Sequence, residues 1–217
     1  ASPSMQINHK GLLTKLQFAI LLTASFAEIL KKQRDASSLC FFDEKIREFT
    51  KVSSSGRHYK ELLYKMESYL NLKSDKKDTD ISDSLHQIAN QIHRRGLVVL
   101  FTDFFEKNQS LDRLFDAIRH LKHQKHEVIV FHMLHKNTEL DFNFGNLPLS
   151  VEDAETGEII KLLPQEVKDA YLERMTAFNE QLVSEFHQHK IDYVLVDTAQ
   201  SVEEILLPFL MKRKKMR

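Results

Sequence analysis

Only one cysteine, Cys40, occurs in the 217 residues of this chain. A lone thiol excludes an intramolecular disulfide framework and any zinc site needing two thiolates, and it suits a reducing compartment, with the cytoplasm as the expected location. Glycine is scarce too. The five glycines form neither G-x-G-x-x-G nor G-x-x-x-x-G-K-[ST], so no phosphate-cradling loop is present and nucleotide binding is not expected. Net charge is missing as well: lysine plus arginine and aspartate plus glutamate number 31 each. That balance removes the long-range field that would draw in nucleic acid or an anionic membrane surface. The longest uncharged stretch, Leu16 to Ala27, is interrupted by Gln17, Thr23 and Ser25 and falls short of the ~20 apolar residues that span a bilayer. It reads as a buried helix, so no membrane span is expected in this segment. Ala1 to Lys10 has no basic stretch followed by an apolar one, and so no signal peptide pattern.

What is present is a regular alternation of apolar patterns. Leu12 to Gln33 carries apolar residues at helical spacing. Leu39 to Phe42 and Ile46 to Val52 read as two short strands, and Tyr59, Leu62, Leu63, Met66 and Leu70 mark a helix opened by the loop Ser53 to Gly56. A further amphipathic helix runs from Ile81 to His93, with Thr79 or Asp80 placed to cap it. Leu97 to Phe101 is a continuous apolar run of the kind found where helices cover both faces of a parallel sheet. A helix from about Ser110 to Lys122 leads to a second such run, Val128 to Leu134, and a helix from Gln165 to His189 leads to a third, Ile191 to Val196. Strand, helix, strand, helix predicts an open, mostly parallel α/β sheet. Residues 146–162 read as a β-hairpin inserted at the sheet edge, its acidic stretch Glu152 to Glu158 guarding against strand addition. Ser201 to Arg213 forms a last helix, with a kink or break at Pro208.

The usual catalytic signals are weak. There is no G-x-S-x-G elbow, and Cys40 lies in an apolar strand where a buried, inert thiol is expected. His120 and His123 have i,i+3 spacing but no H-E-x-x-H pattern, which points to a solvated helix face rather than zinc. The basic tail Lys212 to Arg217 reads as a solvated helix end.

In open α/β sheets the ligand crevice lies beyond the carboxyl ends of the strands. Ser2 and Ser4 stand before the first helix, Thr79 before the helix at Ile81, and Asp103 closes the strand Leu97 to Phe101. Hydroxyls and a carboxylate are hard oxygen donors, the set that suits magnesium. Taken on spacing alone, the same residues also read as helix caps and a turn aspartate.

Ser2-Pro3-Ser4-Met5, Thr79, and Leu97 through Thr102-Asp103 resemble the D-x-S-x-S, Thr and T/S-D elements of a von Willebrand factor A metal-ion-dependent adhesion site. More narrowly, the chain resembles the bacterial family called domain of unknown function 58. The resemblance is carried by Arg94 to Phe105, His126 to His135, Glu139 to Phe142, Glu152 to Glu158 and Ile191-Asp192-Tyr193. It spans essentially the whole chain and implies one Rossmann-like von Willebrand factor A domain over residues 1–217. In the family pattern an aspartate stands two residues before Ser2 and follows an apolar strand. Neither falls within this sequence, so the chain is read as N-terminally incomplete, lacking its first, central strand. The strands at Leu39 to Phe42 and Leu97 to Phe101 should then be separated by one strand position, or else drawn together.

What the resemblance implies for function is a protein-interaction module without catalysis, its metal held by Ser2, Ser4, Thr79 and Asp103. Magnesium or another divalent ion is expected in the intact parent protein, weakly bound or absent in this fragment. The implied partner is a MoxR-type AAA+ ATPase or its substrate, with this chain as adaptor. A magnesium-dependent phosphoester hydrolase is the alternative, though no general base or nucleophile is evident beside Asp103.

Overall fold

In the computed structural model, residues 3–6, 11, 13–71, 81–104, 111–145, 147–152 and 159–215 are described. The elements in order are α1 (Lys15–Gln33), β1 (Cys40–Phe42), β2 (Ile46–Phe49), α2 (Gly56–Leu70), α3 (Ser82–Gln91), β3 (Leu97–Thr102) and α4 (Leu111–His123). They continue with β4 (Glu127–Leu134), β5 (Leu149–Glu152), β6 (Ile159–Leu162), α5 (Pro164–Gln188), β7 (Asp192–Asp197) and α6 (Val202–Lys215). A short 3-10 turn at Pro3–Gln6 precedes α1, and a π-helical turn at Lys136–Leu140 follows β4.

Three strands form a parallel sheet in the order β3-β4-β7. β4 lies in the middle, and every residue after Glu127 in it is buried. Its side chains alternate between two cores, as the two-residue period of a strand requires. Ile129, Phe131 and Met133 join one cluster with α1, α2 and α6, whereas Val128 and Val130 join a second with α3, α4 and α5. Helices therefore cover both faces, which is why these runs read as predominantly apolar segments. The chain is a mixed α/β protein built on this parallel sheet.

Local chemistry sets the element boundaries. α1 starts at Lys15 rather than at Leu12, because Thr14 and Gln17 form a reciprocal capping box: the Gln17 N–H donates to Thr14 Oγ1 at 3.1 Å and the Thr14 N–H to Gln17 Oε1 at 3.0 Å. Ser55 caps α2 in the simpler way, accepting from the His58 N–H at 3.2 Å. At α3 the cap position belongs to Ile81, which makes no side-chain cap hydrogen bond. Thr79 and Asp80, expected there, lie outside the described residues. Of the kink or break anticipated at Pro208, the break does not occur. α6 runs through it, with Ile205, Leu206 and Phe209 buried in the core on either side of the proline, so tertiary packing outweighs the missing N–H.

β1 and β2 pair with each other, antiparallel, with Cys40 opposite Phe49 and an irregularity between Phe41 and Phe42. The ring of Phe41 stacks on Tyr69 of α2 with centroids 3.8 Å apart. This hairpin is not hydrogen-bonded into the parallel sheet. A cavity of about 1910 Å³ lies between it and the outer edge of β3, bordered also by α1 and α3. The strands at Leu39 to Phe42 and Leu97 to Phe101 are thus held apart, not drawn together. β5 and β6 form a second antiparallel pair, Leu149 opposite Leu162, that also stands outside the parallel sheet instead of extending its edge.

Candidate functional site

The carboxyl ends of β3 and β4 meet the first turn of α1 in a buried charge cluster. Lys15 is only 2% exposed, and its Nζ lies 2.5 Å from Glu139 Oε1 and 3.7 Å from Asp103 Oδ2. Phe18, Ala19 and Leu22 lie three, four and seven residues further along α1, all buried, so helical geometry forces Lys15 onto the same apolar stripe. Burying an ammonium there is costly without counter-charges beside it, and Asp103 and Glu139 supply them.

Asp103 follows β3 directly and is buried. The turn behind it is fixed from several sides. Phe104 adopts a left-handed φ of 52°, a strained conformation for a bulky residue, and its N–H donates to Thr102 Oγ1 at 3.3 Å. Its ring is packed edge-on against His132, centroids 5.0 Å apart, and against Phe186. Phe104 is thus buried, and Phe105 lies outside the described residues.

His132 of β4 holds the Asp103 backbone. Its Nε2 sits 3.2 Å from the Asp103 carbonyl and its Nδ1 sits 2.6 Å from Tyr193 Oη. A carbonyl only accepts, so Nε2 carries the proton and Nδ1 takes the hydrogen bond donated by the Tyr193 hydroxyl. Burial drives the His132 pKa down to about 4, opposed by the Asp103 carboxylate and assisted by the Lys15 ammonium. Burial likewise pushes the Tyr193 phenol above its ordinary range.

A pH dependence follows from these contacts. The unfolded imidazole titrates near 6.5 and the folded one near 4, so between those values the unfolded chain binds more protons and stability rises with pH. Acidification from about pH 6.5 to 4 should therefore remove about 3 kcal/mol of stability through this group. Urea denaturation of wild type and His132→Gln at pH 7.5, 5.5 and 4.5 reads it directly. The wild-type profile should be the steeper, and parallel profiles would mean that His132 is not held neutral.

Glu139 comes from the π-helical turn after β4. Its Oε2 accepts the His135 N–H at 2.7 Å, and its backbone carbonyl accepts from Tyr171 Oη at 2.8 Å. Burial raises the Tyr171 phenol to about 12, which keeps it a donor at neutral pH. β4, the turn after it and α5 thus place the second carboxylate of the cluster.

Of the four sequence-derived ligands, the structure brings Asp103 into this cluster. Ser4 is buried in the 3-10 turn, which packs against α1. Ser2 and Thr79 lie outside the described residues. Sequence reasoning missed Lys15, although one cation on an apolar stripe was a usable signal, and it quoted Glu139 only as part of a family block. The contact of His120 Nδ1 with His86 Nδ1, 3.0 Å apart across the packed helices α3 and α4, was not legible either. Among the described residues no group of three or more His, Cys, Asp or Glu side chains is gathered as for a metal ion. The Cys40 thiol is pushed up to about 12, chiefly by burial and then by the Glu48 charge, which makes it a poor nucleophile.

A parallel sheet covered by helices, with its polar cluster at the strands' carboxyl ends, defines an α/β protein with a rim site. Residues 1–181 match the family described as "Protein of unknown function DUF58", and the chain belongs to that family. Two solved structures share the fold. One is the conserved hypothetical protein BatB from Bacteroides thetaiotaomicron, with a TM-score of 0.56 and 16% identity over 99% of this chain and 95% of that one. The other is an aerotolerance-related membrane protein from Bacteroides fragilis NCTC 9343 carrying multiple mutations to serines, with a TM-score of 0.54 and 17% identity over 95% of this chain and 92% of that one. No curated protein matches. Among the described residues no helix is long and apolar enough to cross a membrane.

Proposed function

We propose that this chain is a non-catalytic protein-interaction module of the von Willebrand factor A kind, working in the cytoplasm as an adaptor to a MoxR-type AAA+ ATPase. Its partner docks at the rim beyond β3 and β4 through a cation that accepts a carboxylate from the partner. The observation that carries the reading is Asp103, a buried carboxylate at the carboxyl end of β3, where open α/β sheets place their ligand crevice. Family membership and the parallel sheet support it.

The donor chemistry suits a divalent ion: Ser4 and Asp103 offer hard oxygens, and Ser2 and Thr79 would complete the set. Hydrolysis of a phosphoester is the weaker reading. Asp103 is engaged with Lys15, both ring nitrogens of His132 are occupied, and the Cys40 thiol is held protonated, so the described site offers no ready base or nucleophile.

Pull-down of the cognate ATPase by the full-length protein tests the proposal in magnesium, in chelator and with Asp103→Ala. Recovery should fall about tenfold or more in the last two conditions, as expected when a charged contact is removed. Equal recovery in all three would rule out a metal-bridged interaction.

A further inference from the structure

Lys15 has no part in the expected ligand set, yet its ammonium lies within the cluster where Asp103 would meet a metal. Its Nζ is 3.7 Å from Asp103 Oδ2 and 2.5 Å from Glu139 Oε1, and neither Lys15 nor Asp103 has appreciable contact with solvent. Two cations that share one buried carboxylate repel each other with little screening. A divalent ion at Asp103 would therefore lie close to the ammonium. Glu139 offers the ammonium a second anchor. Glu139 is itself fixed by the His135 N–H at Oε2 and by Tyr171 at its carbonyl, so it is a preformed berth and not a passing contact.

We propose that the Lys15 ammonium and a divalent cation are alternative occupants of the Asp103 carboxylate. The lysine keeps the site folded and partly offsets its negative charge without metal. Ion binding moves Lys15 off Asp103 and leaves it on Glu139. Lys15 sits in the first turn of α1 and Glu139 in the turn after β4, so the exchange couples ion occupancy to the two segments that frame the docking rim. This proposal rests on the metal-dependent reading above, and it adds a built-in competitor that sets the ion's affinity.

The test is Mn²⁺ titration of the full-length protein by calorimetry, comparing wild type with Lys15→Met and Glu139→Gln. Lys15→Met should bind Mn²⁺ at least tenfold more tightly. Glu139→Gln should bind more weakly than wild type, because the lysine loses the Glu139 carboxylate and is held more firmly by Asp103. If Lys15→Met is unfolded in chelator, its refolding at Mn²⁺ concentrations that leave the wild-type melting temperature unchanged counts as the same result. Equal affinities in the three proteins, absence of binding in Lys15→Met, or its failure to refold with Mn²⁺ would each overturn the exchange. An ATPase pull-down that ignores magnesium, beside an unequal Mn²⁺ series, would refute the docking reading and leave the exchange standing.

Discussion

Lys15→Met in the absence of divalent ions is expected to lower unfolding stability by about 3–5 kcal/mol, the cost of leaving a buried charge without its partner. Methionine keeps most of the apolar stem, so the loss isolates the ammonium from its packing. The carboxylates left behind are the source of the penalty: the Asp103 side chain is 5% exposed and that of Glu139 17%. Neutralising one of them should then return part of the loss, and Lys15→Met/Glu139→Gln should be more stable than Lys15→Met alone. Non-additivity of that kind marks residues that act as one unit. Urea denaturation with an unchanged m-value is the appropriate measurement, since only the midpoint should move. A loss below about 1 kcal/mol would place the pair with ordinary surface ion pairs and remove its special standing.

Phe131→Ala should cost a similar amount, about 3–5 kcal/mol, for an unrelated reason. Phe131 is fully buried at the middle of the central strand β4. Its ring contacts Phe26 of α1 at 5.7 Å, Phe101 of β3 at 5.1 Å and Phe209 of α6 at 5.6 Å between centroids. Deleting it opens a cavity bordered by three separate elements, none of which can close on the space without moving the others. Phe101→Ala should cost less, because Phe101 lies on the sheet's edge strand and is only partly buried. Equal losses at the two positions would contradict the assignment of β4 as the shared centre of the core.

These two residues differ in how plainly they could be read beforehand. Phe131 belongs to the run Val128 to Leu134, where every residue but His132 is apolar, and a run of that kind has few alternatives to a strand covered on both faces. His132 itself gave no such signal. Its neutrality comes from burial, and its tautomer is set by Tyr193, sixty-one residues away, and by the Asp103 carbonyl. Asp103 was legible as a strand-end carboxylate because the strand before it was legible. Lys15 was half legible: its spacing from Phe18, Ala19 and Leu22 placed it on a buried stripe, but a buried lysine has meaning only through its counter-charges. Glu139 is one of those and lies 124 positions away.

Pattern and local chemistry alone determined the helices, the apolar strands and several of their ends, because hydrophobic period, capping hydroxyls and turn residues act within a few positions of one another. Tertiary structure decided that β1 and β2 pair apart from the parallel sheet, that α6 continues through Pro208, and that Lys15, Asp103 and Glu139 share one buried corner. Each of these outcomes depends on groups far apart in the chain, whose energies exist only once burial has removed the water between them.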